Sequence, residues 1–265
     1  MEETRSGLTK QMHPPDEILV VEDIDRLGPG WARNKGIEKA RGNLIAFIDD
    51  DCIPNDDWLE RFIGAIEKHD AAMVSSHYLE TDPFLHEVRQ RRKFPTTVQV
   101  NPGGFVGTGG NVIFKRQCLD ECLREDGFIF NPVFGHFASE DIELIWRLRR
   151  RGHKLVFIPN EVKHVKKMTP IKYVRHQFIR GIGIGFLYQL KRKAGGNISP
   201  DRSLLWGEDA RKHSALKWLV IIWKKLLGPF DYRSFSDSKH FLTFWVGEKL
   251  QSLGFLLCII FKRIV

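Results

Sequence analysis

Along the first two-thirds of the chain, short apolar runs alternate with segments whose apolar residues recur at helical spacing. Glu17-Ile-Leu-Val-Val-Glu-Asp23, Leu44-Ile-Ala-Phe-Ile48, Ala71–Tyr78, Val112-Ile-Phe114 and Lys154–Ile158 are mostly apolar and of strand length. Such runs, bounded by polar residues, predict strands buried on both faces. Between them, Trp31–Arg41 sets Ala32, Ile37 and Ala40 on one stripe, with Gly42 placed to end the helix. Trp58, Leu59, Phe62, Ile63 and Ile66 share one face of a second helix, for which Asn55 or Asp56 is the expected cap. Ser139–Gly152 predicts a third, with Ser139 as cap, Glu140 and Asp141 at the positive end of its dipole and Arg149–Arg151 at the negative end. This order of strands and helices predicts an α/β fold with a mostly parallel sheet. Residues 80–102 show no clear period and read as a loop.

The pattern changes near Thr169. Aromatic and aliphatic residues now mix with Lys and Arg, as in Tyr173–Arg180, Leu216–Leu227 and Phe241–Ile264. No uncharged apolar run reaches the roughly 20 residues of a membrane span. Basic amphipathic helices that do not span lie on a bilayer surface or pack on another protein face. Charge sharpens this picture: residues 165–265 carry 19 Lys and Arg against 6 Asp and Glu, or +13, whereas residues 1–164 carry 22 against 27, or −5. An acidic domain over residues 1–168 therefore joins a basic helical region over 169–265. The expected partner of that region is an anionic membrane surface, with Trp218, Trp223, Phe241, Trp245 and Phe255 supplying apolar contact. A nucleic-acid partner is not expected, because no helix-turn-helix or single-strand-binding signature accompanies the basic residues. Cys52, Cys118, Cys122 and Cys258 show neither metal-type pairing nor a disulfide framework, as in a reducing compartment. The N-terminus lacks an apolar signal core.

The chemistry concentrates where Leu44–Ile48 meets Asp49, Asp50 and Asp51. Ligands in open α/β sheets sit beyond the carboxyl ends of the strands. Three adjacent carboxylates repel one another unless a cation is present, and Asp49 and Asp51, two apart, project to the same side of an extended chain. Oxygen ligands of this kind suit Mg²⁺ or Mn²⁺. An acidic turn capping the next helix is the plainer alternative. Gly103–Asn111 contains five glycines in nine positions, which permits close backbone approach to a ligand or simply a flexible turn. Glu140-Asp141 could be dipole compensation alone, and His164 a packed histidine.

Taken in order, these segments resemble the family 2 glycosyltransferases of GT-A fold, from about Ser6 to His164. Ile18–Asp25 is similar to the strand ending in acids that holds the nucleotide base. Gly28–Ile37 followed by Ala40-Arg-Gly42 resembles the family's Ala-Arg-Asn-x-Gly-Ile helix. Phe47–Pro54 with Trp58-Leu59 resembles its Asp-x-Asp metal motif, and Gly109-Gly-Asn111 its sugar and acceptor turn. Glu140-Asp141, with Arg147 and Gly152 downstream, resembles the motif carrying the catalytic base, and Pro159 with His164 the Pro-x-x-x-x-His ending. The family normally opens with a strand near Pro-x-Tyr-Asn, and none precedes Ser6, so a sheet truncated at its N-terminal side is expected.

The resemblance implies an inverting, metal-dependent glycosyltransferase. It would move a sugar from a nucleotide-sugar donor to a lipid-linked or polysaccharide acceptor, in cell-envelope polysaccharide synthesis on the cytoplasmic face of the plasma membrane. It implies Mg²⁺ or Mn²⁺ on Asp49, Asp51 and His164; donor contacts from Asp23, Arg33, Asp49 and Asp50; acceptor or sugar contacts from Gly109, Gly110 and Asn111; and base chemistry from Asp141 with Glu140. Gln177-Phe-Ile-Arg180 is similar to part of a motif of processive synthases, but Gly181 stands where a Trp is expected, so processivity is not implied. The rival readings are an inactive scaffold retaining this fold and a nucleic-acid-binding module.

Overall fold

The computed structural model describes residues 1–91, 95–102, 107–194 and 238–260. Leu216–Leu227, part of the expected basic region, lies outside the described residues, as do Trp218 and Trp223. The chain forms two compact units: Met1–Gly135 with Asp141–Lys167, and His136–Glu140 with Met168–Val265.

The first unit is built on a five-stranded sheet in the order β1 (Leu44–Ile48), β6 (Asn111–Lys115), β3 (Met73–Ser75), β7 (Leu155–Phe157), β5 (Gln99–Val100). Alternation of side chains separates two apolar layers. Ile45, Met73, Val112, Phe114 and Leu155 pack with Ile37 of α2 (Pro29–Lys39), Leu119 of α5 (Arg116–Asp126) and Leu144 and Leu148 of α6 (Glu140–Arg150). Val74, Ile113 and Val156 face the other way, onto Trp58, Leu59, Phe62 and Ile66 of α3 (Trp58–His69).

The sheet is mixed rather than parallel throughout. β3 pairs parallel with β7, but β6 lies antiparallel between β1 and β3, and β5 antiparallel on β7. β1 is consequently an edge strand, and of its residues only Ile45 is fully buried. The expected strand at Glu17–Asp23 does not form: Leu19 and Val20 are about half exposed, at 42% and 50%. An apolar run acquires strand geometry only when a neighbour accepts its backbone hydrogen bonds, and no described strand flanks this one.

Residues 80–102 are more ordered than their sequence suggested, for they hold α4 (Pro83–Arg91) and β5. Ala71–Tyr78 is not one strand. It supplies β3 and then turns into β4 (Tyr78–Glu80), part of a second sheet ordered β2 (Cys52–Ile53), β8 (Val162–His164), β4. The helix caps also differ from expectation. Asp57 precedes α3, Ala40 follows α2 in extended conformation, and Ser139 adopts φ +97° with a buried Oγ lacking a hydrogen-bond partner among the described residues.

A short helix, α1 (Glu2–Thr9), precedes all of this. Thr4 Oγ1 donates to the carbonyl of Asp50 (2.8 Å), and Gln11 spans α1 and α3 by donating to Gly7 O and Asn55 O and accepting from Leu59 N–H.

In the second unit, α7 (Pro170–Lys193) packs lengthwise on α8 (Ser238–Ile260) through small residues. A Cβ on Gly181 would lie 2.0 Å from Gln251 O, and one on Gly183 would lie 1.7 Å from Ala138 O. The Trp position of the processive motif is thus glycine because α8 backbone passes directly over it. Gly181→Leu should lower stability by about 1–3 kcal/mol through overpacking, checked as a fall in the thermal midpoint. Phe255, expected to face lipid, is buried and packs edge-on against Tyr188. Lys239–Ile259 is long and apolar enough to cross a membrane by length and composition alone, with mean hydropathy 1.2 and 39% of it buried. A helix tolerates Glu248 and Lys249 within such a window, which counting uncharged runs overlooks.

Candidate active site

The site lies where β1 ends. Asp49, Asp50 and Asp51 form the turn between β1 and β2, and the ladders of the second sheet bring distant residues to it: Cys52 pairs with His164, and His164 with Glu80. Asp51 Oδ1 lies 3.3 Å from His164 Nε2, and Asp51 Oδ2 3.2 Å from Lys166 Nζ. Burial raises the Asp51 carboxyl, but His164 and Lys166 outweigh it and hold the group at about 2. Burial disfavours the His164 cation, yet hydrogen bonds to Asp51 and Glu80 raise it to about 9. His164 Nδ1 is 2.6 Å from Glu80 Oε2, and Glu80 Oε1 accepts from Arg89 at 2.9 Å.

Asp49 stands apart from that group. Tyr78 Oη donates to its Oδ2 (2.6 Å), and Arg33 faces its Oδ1 at 3.6 Å. Burial, and then Asp49 itself, push the Tyr78 hydroxyl well above its ordinary range, so it remains a donor. A Cβ on Gly110 would lie 2.1–2.3 Å from the Asp49 carboxylate, and one on Gly109 would lie 2.8 Å from Asp141 Oδ2 and 3.3 Å from Arg33 Nη2. These two glycines are what allow Asp49, Asp141 and Arg33 to close on the same backbone turn. Asp141 is half-buried, with Oδ1 accepting its own helix's Ile142 N–H, whereas Glu140 is fully buried. Asp141 reaches this turn through its Oδ2.

Other expected site residues are placed differently. Asn111 is buried in the core: its Oδ1 accepts from Trp58 Nε1 (2.8 Å), and its Nδ2 donates to His77 O (2.6 Å) and Asn160 O (2.9 Å). Its side-chain amide is thus committed on both sides to these core partners. Asp23 receives Leu27 N–H and Gly28 N–H, each at 2.7 Å, and so shapes the entry to α2. Asp50 is exposed on the outer side of the turn.

Tyr78, Glu80, Arg89 and Lys166 went unnoticed in the sequence. The available signal was spacing: Tyr78 and Glu80 lie two apart on a strand and so share a face.

Asp51, Cys52 and His164 offer ligand atoms within 4.8 Å of one another. A carboxylate suits Mn²⁺ or Mg²⁺ and an added imidazole favours the transition-metal ion Mn²⁺ of the two, whereas a thiol raised by burial, and then by Asp49 and Asp51, stays protonated and is the wrong donor for these ions. The donor set therefore fits a divalent ion on Asp51 and His164, with Cys52 as packing beneath.

Residues 1–123 match the model of glycosyl transferase family 2. The match covers a little under half of the chain. Among its relatives, glycosyltransferase AglE of Haloferax volcanii is 37% identical over 68 residues, covering 26% of this chain and 22% of AglE. Succinoglycan biosynthesis protein ExoM of Rhizobium meliloti is 27% identical over 164 residues, covering 60% of this chain and 50% of ExoM. A crystal structure of GalNAc-T7 with UDP, GalNAc and Mn²⁺ aligns with 64% of this chain and 38% of its own, at 16% identity and a TM-score of 0.40. The chain thus spans half or less of these curated relatives.

Proposed function

We propose that this family 2 protein is an inverting glycosyltransferase that uses a nucleotide-sugar donor, a divalent cation and a glycan or lipid-linked acceptor. The observation that carries the reading is the convergence of Asp141, Arg33 and Asp49 on the Gly109–Gly110 turn, beside the Asp51–His164 pair.

Asp141 would accept the proton of the acceptor hydroxyl as that oxygen attacks the anomeric carbon and the bond to the diphosphate oxygen breaks. A single displacement inverts the configuration. Arg33 would contact donor phosphates, with Asp49 fixing its approach. Asp51 and His164 would hold a divalent cation, which would supply charge neutralisation for the departing diphosphate. The test is nucleoside diphosphate release from a panel of UDP- and TDP-sugars with Mn²⁺. Absence of both donor binding and turnover across the panel would favour the inactive-scaffold reading.

The second unit supports placement on the inner face of an anionic membrane. Its support is the +13 charge of residues 165–265 and the length and composition of α8. Basic residues near such a surface contribute on the order of 1 kcal/mol each, and exposed charges are screened by salt. The full chain should co-sediment with phosphatidylserine vesicles, more weakly with phosphatidylcholine vesicles, and less as salt increases. Equal recovery with both vesicle types at every salt concentration would overturn the electrostatic part. Resistance to alkaline carbonate extraction would show α8 spanning instead of lying on the surface.

A further inference from the structure

We infer that Glu80, carried on β4, is a positioning residue that sets the tautomer of His164 and aims its Nε2 at Asp51. The inference rests on the metal reading above and extends it to a residue outside the family motifs.

Three observations converge. His164 has two ring nitrogens with different neighbours: Nδ1 faces Glu80 Oε2 at 2.6 Å, and Nε2 faces Asp51 Oδ1 at 3.3 Å. A short contact at Nδ1 to a carboxylate keeps a proton there, so Nε2 is the atom that would offer its lone pair once a divalent ion displaces the proton facing Asp51. Glu80 is itself held. Its side chain is only 10% exposed, and its other oxygen accepts from Arg89 Nη1 at 2.9 Å. The third observation is the ladder: β4 runs parallel to β8 with Glu80 directly opposite His164, and the Tyr78 ring lies against the imidazole at 4.6 Å. The imidazole thus has its rotation fixed by a ring on one side and an anchored carboxylate at one edge. A carboxylate behind a metal-bound histidine typically accounts for about 10–100-fold in metal affinity.

The experiment measures Mn²⁺ binding to the full chain by electron paramagnetic resonance, with and without UDP, in wild type, Glu80→Gln and Glu80→Ala. Glu80→Gln keeps an acceptor for Nδ1–H and loses the charge; Glu80→Ala loses both. The expected order of affinity is wild type, then Gln, then Ala, with a total loss of about 10–100-fold. Electron spin echo modulation from the imidazole nitrogen should weaken in the same order, a signature that altered packing elsewhere would not change. Wild-type Mn²⁺ binding with equal affinity and equal nitrogen modulation in both variants would overturn the role of Glu80 alone. Wild-type protein that binds no Mn²⁺, with or without UDP, would overturn the metal reading and this inference together. Unchanged thermal midpoints would confirm that the variants are folded, and Glu80→Gln, nearly isosteric, carries the test if Glu80→Ala is not.

Discussion

Asp141→Asn should reduce turnover by about two to four orders of magnitude while leaving nucleotide affinity nearly unchanged. That range corresponds to about 3–5 kcal/mol of transition-state stabilisation. The reason lies in the difference between Asp141 and its neighbour. Asp141 is half-buried and brings Oδ2 against Gly109, whereas Glu140 is buried, at 5% exposure. The amide of Asn preserves size and can still accept Ile142 N–H, so the geometry survives while the proton acceptor is lost. Nucleotide affinity should hold because Arg33 and Asp49 do not depend on that charge. Steady-state kinetics with calorimetric binding checks both parts. A dead Glu140→Gln beside an active Asp141→Asn would reverse the assignment. A parallel collapse of donor affinity in Asp141→Asn would instead make this carboxylate part of the donor pocket.

Asp51→Ala should abolish entirely the part of UDP affinity that depends on Mn²⁺. Asp51 is the only carboxylate within 3.3 Å of His164 Nε2 among the described residues, and Asp49 is engaged by Tyr78 and Arg33. Loss of Asp51 also leaves His164 and Lys166 without the anion they share, so UDP affinity in EDTA should hold or rise as these cations turn to the diphosphate. Calorimetry with Mn²⁺ and with EDTA separates the two effects. Persistence of a Mn²⁺-dependent gain in Asp51→Ala would move the ion to other residues.

The likeness to glycosyl transferase family 2 was legible in the sequence because its motifs are local. Asp49-Asp50-Asp51 directly follows an apolar run, and Ala32–Ile37 sits on one helical turn pattern, so residue order alone carries them. The three core helices, α2, α3 and α6, were legible for the same reason, since helical periodicity is written within a dozen residues. Strand partners are different. Whether Glu17–Asp23 becomes a strand depends on a neighbour elsewhere in the chain, and whether β6 enters the sheet antiparallel between β1 and β3 depends on long-range pairing that no local pattern encodes. The same limit applied to the site. The sequence pointed to Asp51, His164 and Asp141, but could not show that Asn111 turns into the core, that Asp49 faces Arg33, or that Glu80 stands behind His164. Each of those outcomes follows from register between strands that are far apart along the chain, where a shift of one residue would turn every side chain to the opposite face.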